Sequence, residues 1–161
     1  MATPALADDI RIEPGSPDQI DAVMKVMDAA FGKAFGEAWT RSQLSGILPM
    51  AGVTLARAVE RGSERTIGFS LSRTVADEAE LLLIAVMPSH HRQGVGTLLL
   101  DDFIDRARHN EVSRVHLEVR DGNPAVGMYL AAGFSPVGRR RNYYHALGGE
   151  RYDAITLARE L

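Results

Sequence analysis

The sequence predicts a single mixed α/β domain, and three observations carry that expectation. An unbroken apolar run from Leu81 to Val86 has the character of a central strand covered on both faces, and it leads through one loop into a helix that opens on Gly94 and Gly96. Ser113–Val119 alternates, with Val115, Leu117 and Val119 on one face and Arg114, His116 and Glu118 on the other, the period of a strand. The remaining elements follow the order helices, meander, strand, helix, strand, helix, strand, strand, without internal repeat, low-complexity tract or linker, and 161 residues suffice for one core.

Taken in order, residues 1–9 read as a frayed terminus and Ile10–Ile12 as a short first strand. Ser16-Pro17-Asp18-Gln19 is a helix start, with Ser16 as cap, Pro17 at the first helical position and Gln19 closing a capping box. Ile20, Val23, Met24, Met27 and Phe31 then form one apolar stripe. A second start stands at Thr40 and Gln43, where Trp39 and Leu44 have the spacing of a hydrophobic staple. Val53–Val59 and Thr66–Ser72 flank Arg61-Gly62-Ser63 as a hairpin, and Glu80–Met87 follows, ended by Pro88. Val95, Leu98, Leu99, Phe103 and Ala107 make the next helix. Asn123-Pro124 opens a short helix that Gly133 closes as a left-handed cap. Two strands, Phe134–Tyr144 and Arg151–Ala158, turn at Leu147–Glu150.

Composition removes several classes of function. A net charge of −3 argues against a general nucleic-acid binder, which needs a strongly basic face. With no cysteine there is no disulfide, thiolate metal site or cysteine nucleophile. No apolar run approaches the roughly 18 residues that span a bilayer, and Met1–Asp9 has two acids and no basic segment, so no secretory signal is expected and a soluble cytoplasmic protein is. His90 and His91 are adjacent and without a nearby third ligand, so no metal site is expected.

The most informative segment is the loop His91-Arg92-Gln93-Gly94-Val95-Gly96-Thr97. At a helix start, free N–H groups and the positive dipole end converge on an anion. Glycines at 94 and 96 let the backbone approach it, and Arg92 adds charge at the rim. A bare Gly-x-Gly also suits a simple tight turn. A P-loop is excluded because no Gly-Lys-Ser/Thr follows, and the third glycine of a dinucleotide fingerprint is missing.

With the strand before it, the loop resembles the acyl-CoA pyrophosphate loop of GNAT acetyltransferases, Gln/Arg-x-x-Gly-x-Gly/Ala, with His91 where the family usually has Gln or Arg. The resemblance implies a mixed, mostly antiparallel sheet with a splayed central strand pair and helices on both faces. It also implies acetyl-CoA held by residues 91–97 and by the exposed backbone at Ile84, Ala85 and Val86. Leu117-Glu118-Val119-Arg120, Asn123 and Met128-Tyr129 to Gly133-Phe134 are similar to the bacterial ribosomal-protein alanine N-acetyltransferases, the RimI type. That resemblance implies Glu118 as general base, Asn123 as a contact of the cofactor arm and Tyr129 as the acid that protonates the leaving thiolate. Asn123 to Tyr129 is six steps where the family usually has seven, a shortening expected to fall in the loop at Pro124.

The chemistry needs such groups. An ammonium has no lone pair, so a base must take its proton, directly or through water, before attack on the thioester. Backbone N–H groups near Val86 can polarise the thioester carbonyl. A phenol, with an ordinary pKa of about 10, can protonate a thiolate whose parent thiol lies near 8.5.

Arg139–Tyr144 and Gly149–Ala154 resemble the same type, as do Ala30-Phe31 and Glu37–Thr40. In it, the last hairpin and the early helices wall a slot for a peptide N-terminus. Tyr143 and Asp153 are the expected substrate contacts, and the expected acceptor is a protein or peptide α-amine. A small amine, a lysine, or a non-catalytic acyl-CoA-binding module stands as the alternative.

Overall fold

The computed structural model describes residues 6–32 and 34–161. The terminus expected to fray lies partly outside them; Leu6–Asp9 form one 3-10 turn leading into β1 (Ile10–Pro14). The capping box forms as expected. The Ser16 amide donates to Gln19 Oε1 at 2.6 Å, and a 3-10 turn at Pro17–Gln19 runs into α1 (Ile20–Phe31). Thr40 and Gln43 cap α2 (Arg41–Ile47) in the same way, and Trp39 joins Leu44 in one apolar cluster. The strands β2 (Val53–Glu60), β3 (Thr66–Val75) and β4 (Glu78–Val86) follow as a meander. After them come α3 (Val95–His109), β5 (Arg114–Arg120), α4 (Val126–Ala131), β6 (Ser135–His145) and β7 (Arg151–Glu160).

The seven strands form one sheet in the order β1-β2-β3-β4-β5-β7-β6. Every pairing is antiparallel except β4 with β5, joined by the crossover through α3. Helices cover both faces. On one, Val23, Val26 and Met27 of α1 and Leu44 of α2 pack on Leu55, Phe69 and Leu71. On the other, Leu100, Phe103 and Ile104 of α3 pack with Tyr129 of α4 on Val115, Leu117 and Leu157. No helix among the described residues is long and apolar enough to cross a membrane.

β4 departs from a strand evenly covered on both faces. Ser72 pairs with Leu81 and Leu71 with Leu83, so Leu82 is an extra residue, a β-bulge. The extra residue shifts the side-chain alternation. Ala79 and Leu81 belong to the α3 cluster, whereas Leu83 and Ala85 belong to the α1 cluster. Leu82, Ile84 and Val86 are only half-buried. The apolar run therefore reflects two cores served in turn, plus one wall of an open cleft.

Candidate functional site

The site begins where the two central strands part. β4 and β5 pair from Glu78–Arg114 as far as Leu81–Leu117 and then diverge. β4 continues on β3 up to Val86, and β5 continues on β7 up to Arg120. The gap opens a cleft of about 730 Å3 reaching from the α3 start to Glu37 and Tyr144. Ladder parity decides which β4 groups face it. Met87 N–H donates to the Ile67 carbonyl at 2.7 Å and Val86 stands opposite Gly68, so Gly68–Val86 is a pair without mutual hydrogen bonds. The main-chain groups of Ile84 and Val86 consequently point to the open side, while those of Ala85 turn to Phe69. Of the three positions Ile84, Ala85 and Val86, the first and last turn their main-chain groups away from β3.

The loop after β4 forms a cradle of amides. Arg92 (φ 59°) and Gly94 (φ 81°) are left-handed, and Gly94 is the residue from which α3 starts. No main-chain N–H of residues 92–97 donates a hydrogen bond to the described residues; the first engaged amide is that of Leu98, to the Gly94 carbonyl at 3.0 Å. Free amides in a left-handed turn at the start of a fifteen-residue helix have the geometry that favours an anion. A Cβ at Gly94 would meet nothing within 4 Å, so the cradle opens outward; at Gly96 it would press on Met128 Sδ at 3.1 Å. The His91 ring reaches back to the Val86 carbonyl, Nε2 to O at 2.9 Å, tying the cradle to the strand end. Its neighbour His90 pairs with Glu60 at 2.7 Å and holds that carboxyl below the usual range.

The opposite wall carries the acids. Glu118, with its side chain 14% exposed, accepts from the Thr156 hydroxyl at 2.8 Å on Oε2 and meets Arg140 Nε at 3.0 Å on Oε1. Strand alternation places it: Val115, Leu117 and Val119 enter the core, and Glu118 faces the cleft. Tyr129 also lines the cleft, from α4, six steps after Asn123. Burial, with Tyr144 and Glu37 nearby, pushes the Tyr129 phenol well above its ordinary range, and Tyr144 is raised likewise by burial and by Glu37. Both are protonated donors at neutral pH. Asn123 uses its amide locally, Oδ1 accepting from Ala125 N–H at 2.8 Å and Nδ2 donating to Glu37 at 3.0 Å.

Three cleft residues were not singled out from the sequence. Glu37, in the loop between α1 and α2, meets Arg120 Nε at 3.3 Å; the side chains are 11% and 9% exposed. The Arg120 guanidinium lies 3.6 Å from the centroid of Phe35. Tyr144 lies close enough to Glu37, Glu118 and Arg120 to feel the charge of each. The only local signal was an arginine directly following the apolar Val119 at the strand end. Glu37→Ala leaves Arg120 buried beside no carboxylate and is expected to cost about 3 kcal/mol of stability, read from urea unfolding.

Tyr143 stands at the cleft mouth, 46% exposed, edge-to-face with Tyr144. Asp153 does not line the cleft. It accepts from Asn142 N–H and from Arg139, both at 2.9 Å, which hold its carboxyl below the usual range and pin the irregular part of β6. Among the described residues no group of three metal-ligating side chains occurs.

Residues 20–134 match the acetyltransferase (GNAT) family. The chain is 38% identical over 96 residues to a [ribosomal protein bS18]-alanine N-acetyltransferase of Haemophilus influenzae, covering 60% of this chain and 66% of that one. It is 43% identical over 91 residues to that of Escherichia coli K12, covering 56% and 61%. The matched stretch is thus less than two thirds of either relative. In three dimensions the chain superposes on the crystal structure of the E. coli ribosomal-protein-S18-alanine N-acetyltransferase with a TM-score of 0.84 and 29% identity, over 94% of this chain and 93% of the other.

Proposed function

The chain belongs to the GNAT acetyltransferase family, and from that premise we propose that it transfers an acetyl group from acetyl-CoA to a protein α-amine, on an Ala-type N-terminus such as that of a ribosomal protein. One observation carries the reading: six consecutive amides, residues 92–97, unengaged by any of the described residues, stand at the end of an open strand edge, in a cleft whose other wall presents Glu118. A diphosphate suits the amides, and an amide-bearing arm suits the outward-facing groups of Ile84 and the N–H of Val86, whose carbonyl the His91 ring already holds. The cradle, open at Gly94, leaves room for such a group.

Bound acetyl-CoA supplies the acetyl group as a thioester, whose C–S bond breaks as the new C–N bond forms. The loop amides of residues 92–97, with Arg92 at the rim, grip the diphosphate. The Val86 N–H polarises the thioester carbonyl. Glu118, oriented by Thr156, takes the proton from the acceptor ammonium and frees its lone pair. Tyr129, buried and protonated, gives its proton to the departing sulfur, and the second proton shed by the newly acylated nitrogen returns the phenolate to phenol. Asn123 braces Glu37 and α4 at the edge of the cofactor arm. An α-amine, with a pKa of about 7.7–8.0, is easier for one carboxylate to deprotonate than a lysine near 10.4.

Its similarity to bS18-alanine N-acetyltransferases, those of Haemophilus influenzae and Escherichia coli among them, supports the choice of acceptor. Incubation with acetyl-CoA and peptides varied at their first residues, read by mass spectrometry, tests it. The expected result is one acetyl on the α-amine of Ala-initiated peptides. Acetylation of lysine side chains or free polyamines in preference would overturn the assignment of the acceptor.

A further inference from the structure

Two of the acids that line the cleft, Glu37 and Glu118, have arginine partners, but the pairs are built differently. Arg120 is buried with Glu37 and stacked on Phe35. Arg140 reaches Glu118 from the outer edge strand with its side chain 62% exposed, and its guanidinium carbon lies 5.5 Å from the centroid of Tyr143. Glu118 is itself only 14% exposed. One cation is thus fixed in the wall, and the other covers the reactive carboxylate from the solvent side.

We propose that Arg140 is a displaceable counter-ion, and that the acceptor ammonium docks in the space its guanidinium now fills, between the Glu118 carboxylate and the face of Tyr143. The proposal rests on Glu118 standing at the reaction centre, as argued above. An exposed guanidinium binds its carboxylate weakly and exchanges readily. Exchanging one cation for another leaves the charge of the cleft wall unchanged, so the acceptor meets a carboxylate already oriented and desolvated. Tyr143 offers a ring face to whichever cation is present.

The surrounding structure suits an exchange. Thr156 holds the second oxygen of Glu118 at 2.8 Å, so the carboxylate keeps its orientation when the guanidinium leaves. Arg140 is the last β6 residue in register before the ladder breaks and resumes at Tyr144. That break is anchored by Asp153, through Asn142 N–H and Arg139. The arginine therefore swings from a fixed point. Asp153, expected from the sequence to touch substrate, lies outside the cleft lining and fixes Asn142 and Arg139 on either side of Arg140.

A displaceable counter-ion competes with the acceptor, which sets the sign of the test. With the full chain, saturating acetyl-CoA and an Ala-initiated peptide, Arg140→Gln should lower KM about two- to fivefold, the effect of removing an exposed ion pair. Arg140→Lys, which keeps a cation in place, should restore KM toward the wild-type value. Calorimetric titration of peptide into the enzyme–CoA complex should follow the same order without turnover. A KM and peptide Kd that are unchanged or higher in Arg140→Gln would overturn the proposal, because a residue that binds substrate or supports the fold weakens binding when removed. Failure of the base assignment reads out elsewhere, in the kcat of Glu118→Gln. Should that variant turn over normally while Arg140→Gln still tightens peptide binding, the base role falls and the counter-ion stands.

Discussion

Replacing Glu118 by Gln should lower kcat by about 10²–10³-fold, within the range contributed by a positioned general base, and leave acetyl-CoA affinity within about twofold. The substitution is close to isosteric. The amide oxygen of a Gln there still accepts from the Thr156 hydroxyl, which now bonds Glu118 at 2.8 Å. What disappears is the capacity to take a proton, together with the charge that faces Arg140. The amide cradle lies on the other side of the cleft, at residues 92–97, and does not touch this side chain. Loss of turnover with cofactor binding retained is therefore the signature of a base, whereas loss of both would mark a collapsed cleft. Steady-state kinetics over pH 6–9 beside a calorimetric titration separates the two. A variant turning over at the wild-type rate across that range would remove Glu118 from the mechanism.

Gly94→Val should weaken acetyl-CoA binding by at least about tenfold while leaving the helix content intact. Gly94 has φ 81°, a conformation that a β-branched residue adopts only at a cost of about 1–3 kcal/mol. The surroundings do not resist the side chain, since nothing lies within 4 Å of a Cβ there. Relief therefore comes by turning the backbone, which disperses amides that now converge. α3 survives because Leu99, Leu100 and Phe103 are anchored in the core, with at most 1% exposure. Circular dichroism should show an unchanged helical signal, and calorimetry should show the lost affinity. An unaltered Kd would mean that the left-handed turn is not what binds the cofactor.

How much of this was legible in the sequence varied with the range of the interaction that decided it. Both capping boxes, at Ser16–Gln19 and Thr40–Gln43, are local hydrogen-bond patterns and form where the residues place them. The alternation of β5 likewise puts Glu118 on the cleft side. The apolar run of β4 misled in one respect: an interior strand and a strand that changes cores at a bulge have the same composition, and only pairing with β3 reveals the extra residue at Leu82. The bonds of Asp153 to Asn142 and Arg139 are not legible in the sequence, because nothing local shows that β6 breaks register directly after Arg140 and needs an anchor. Glu37 lies in an aperiodic loop, and its meaning comes from Arg120 and Asn123, more than eighty positions away in the chain.

Everything proposed for this cleft depends on the amides after β4 gripping a diphosphate so that the thioester lies beside Glu118. Isothermal titration with acetyl-CoA and, in parallel, with S-acetyl-pantetheine, which has the same arm and thioester without the nucleotide diphosphate, tests that dependence directly. The account predicts one site for acetyl-CoA, with acetyl-pantetheine binding at least about 100-fold more weakly, as the loss of several charge-assisted hydrogen bonds requires. Equal affinities for the two thioesters, or no binding of acetyl-CoA, would contradict it.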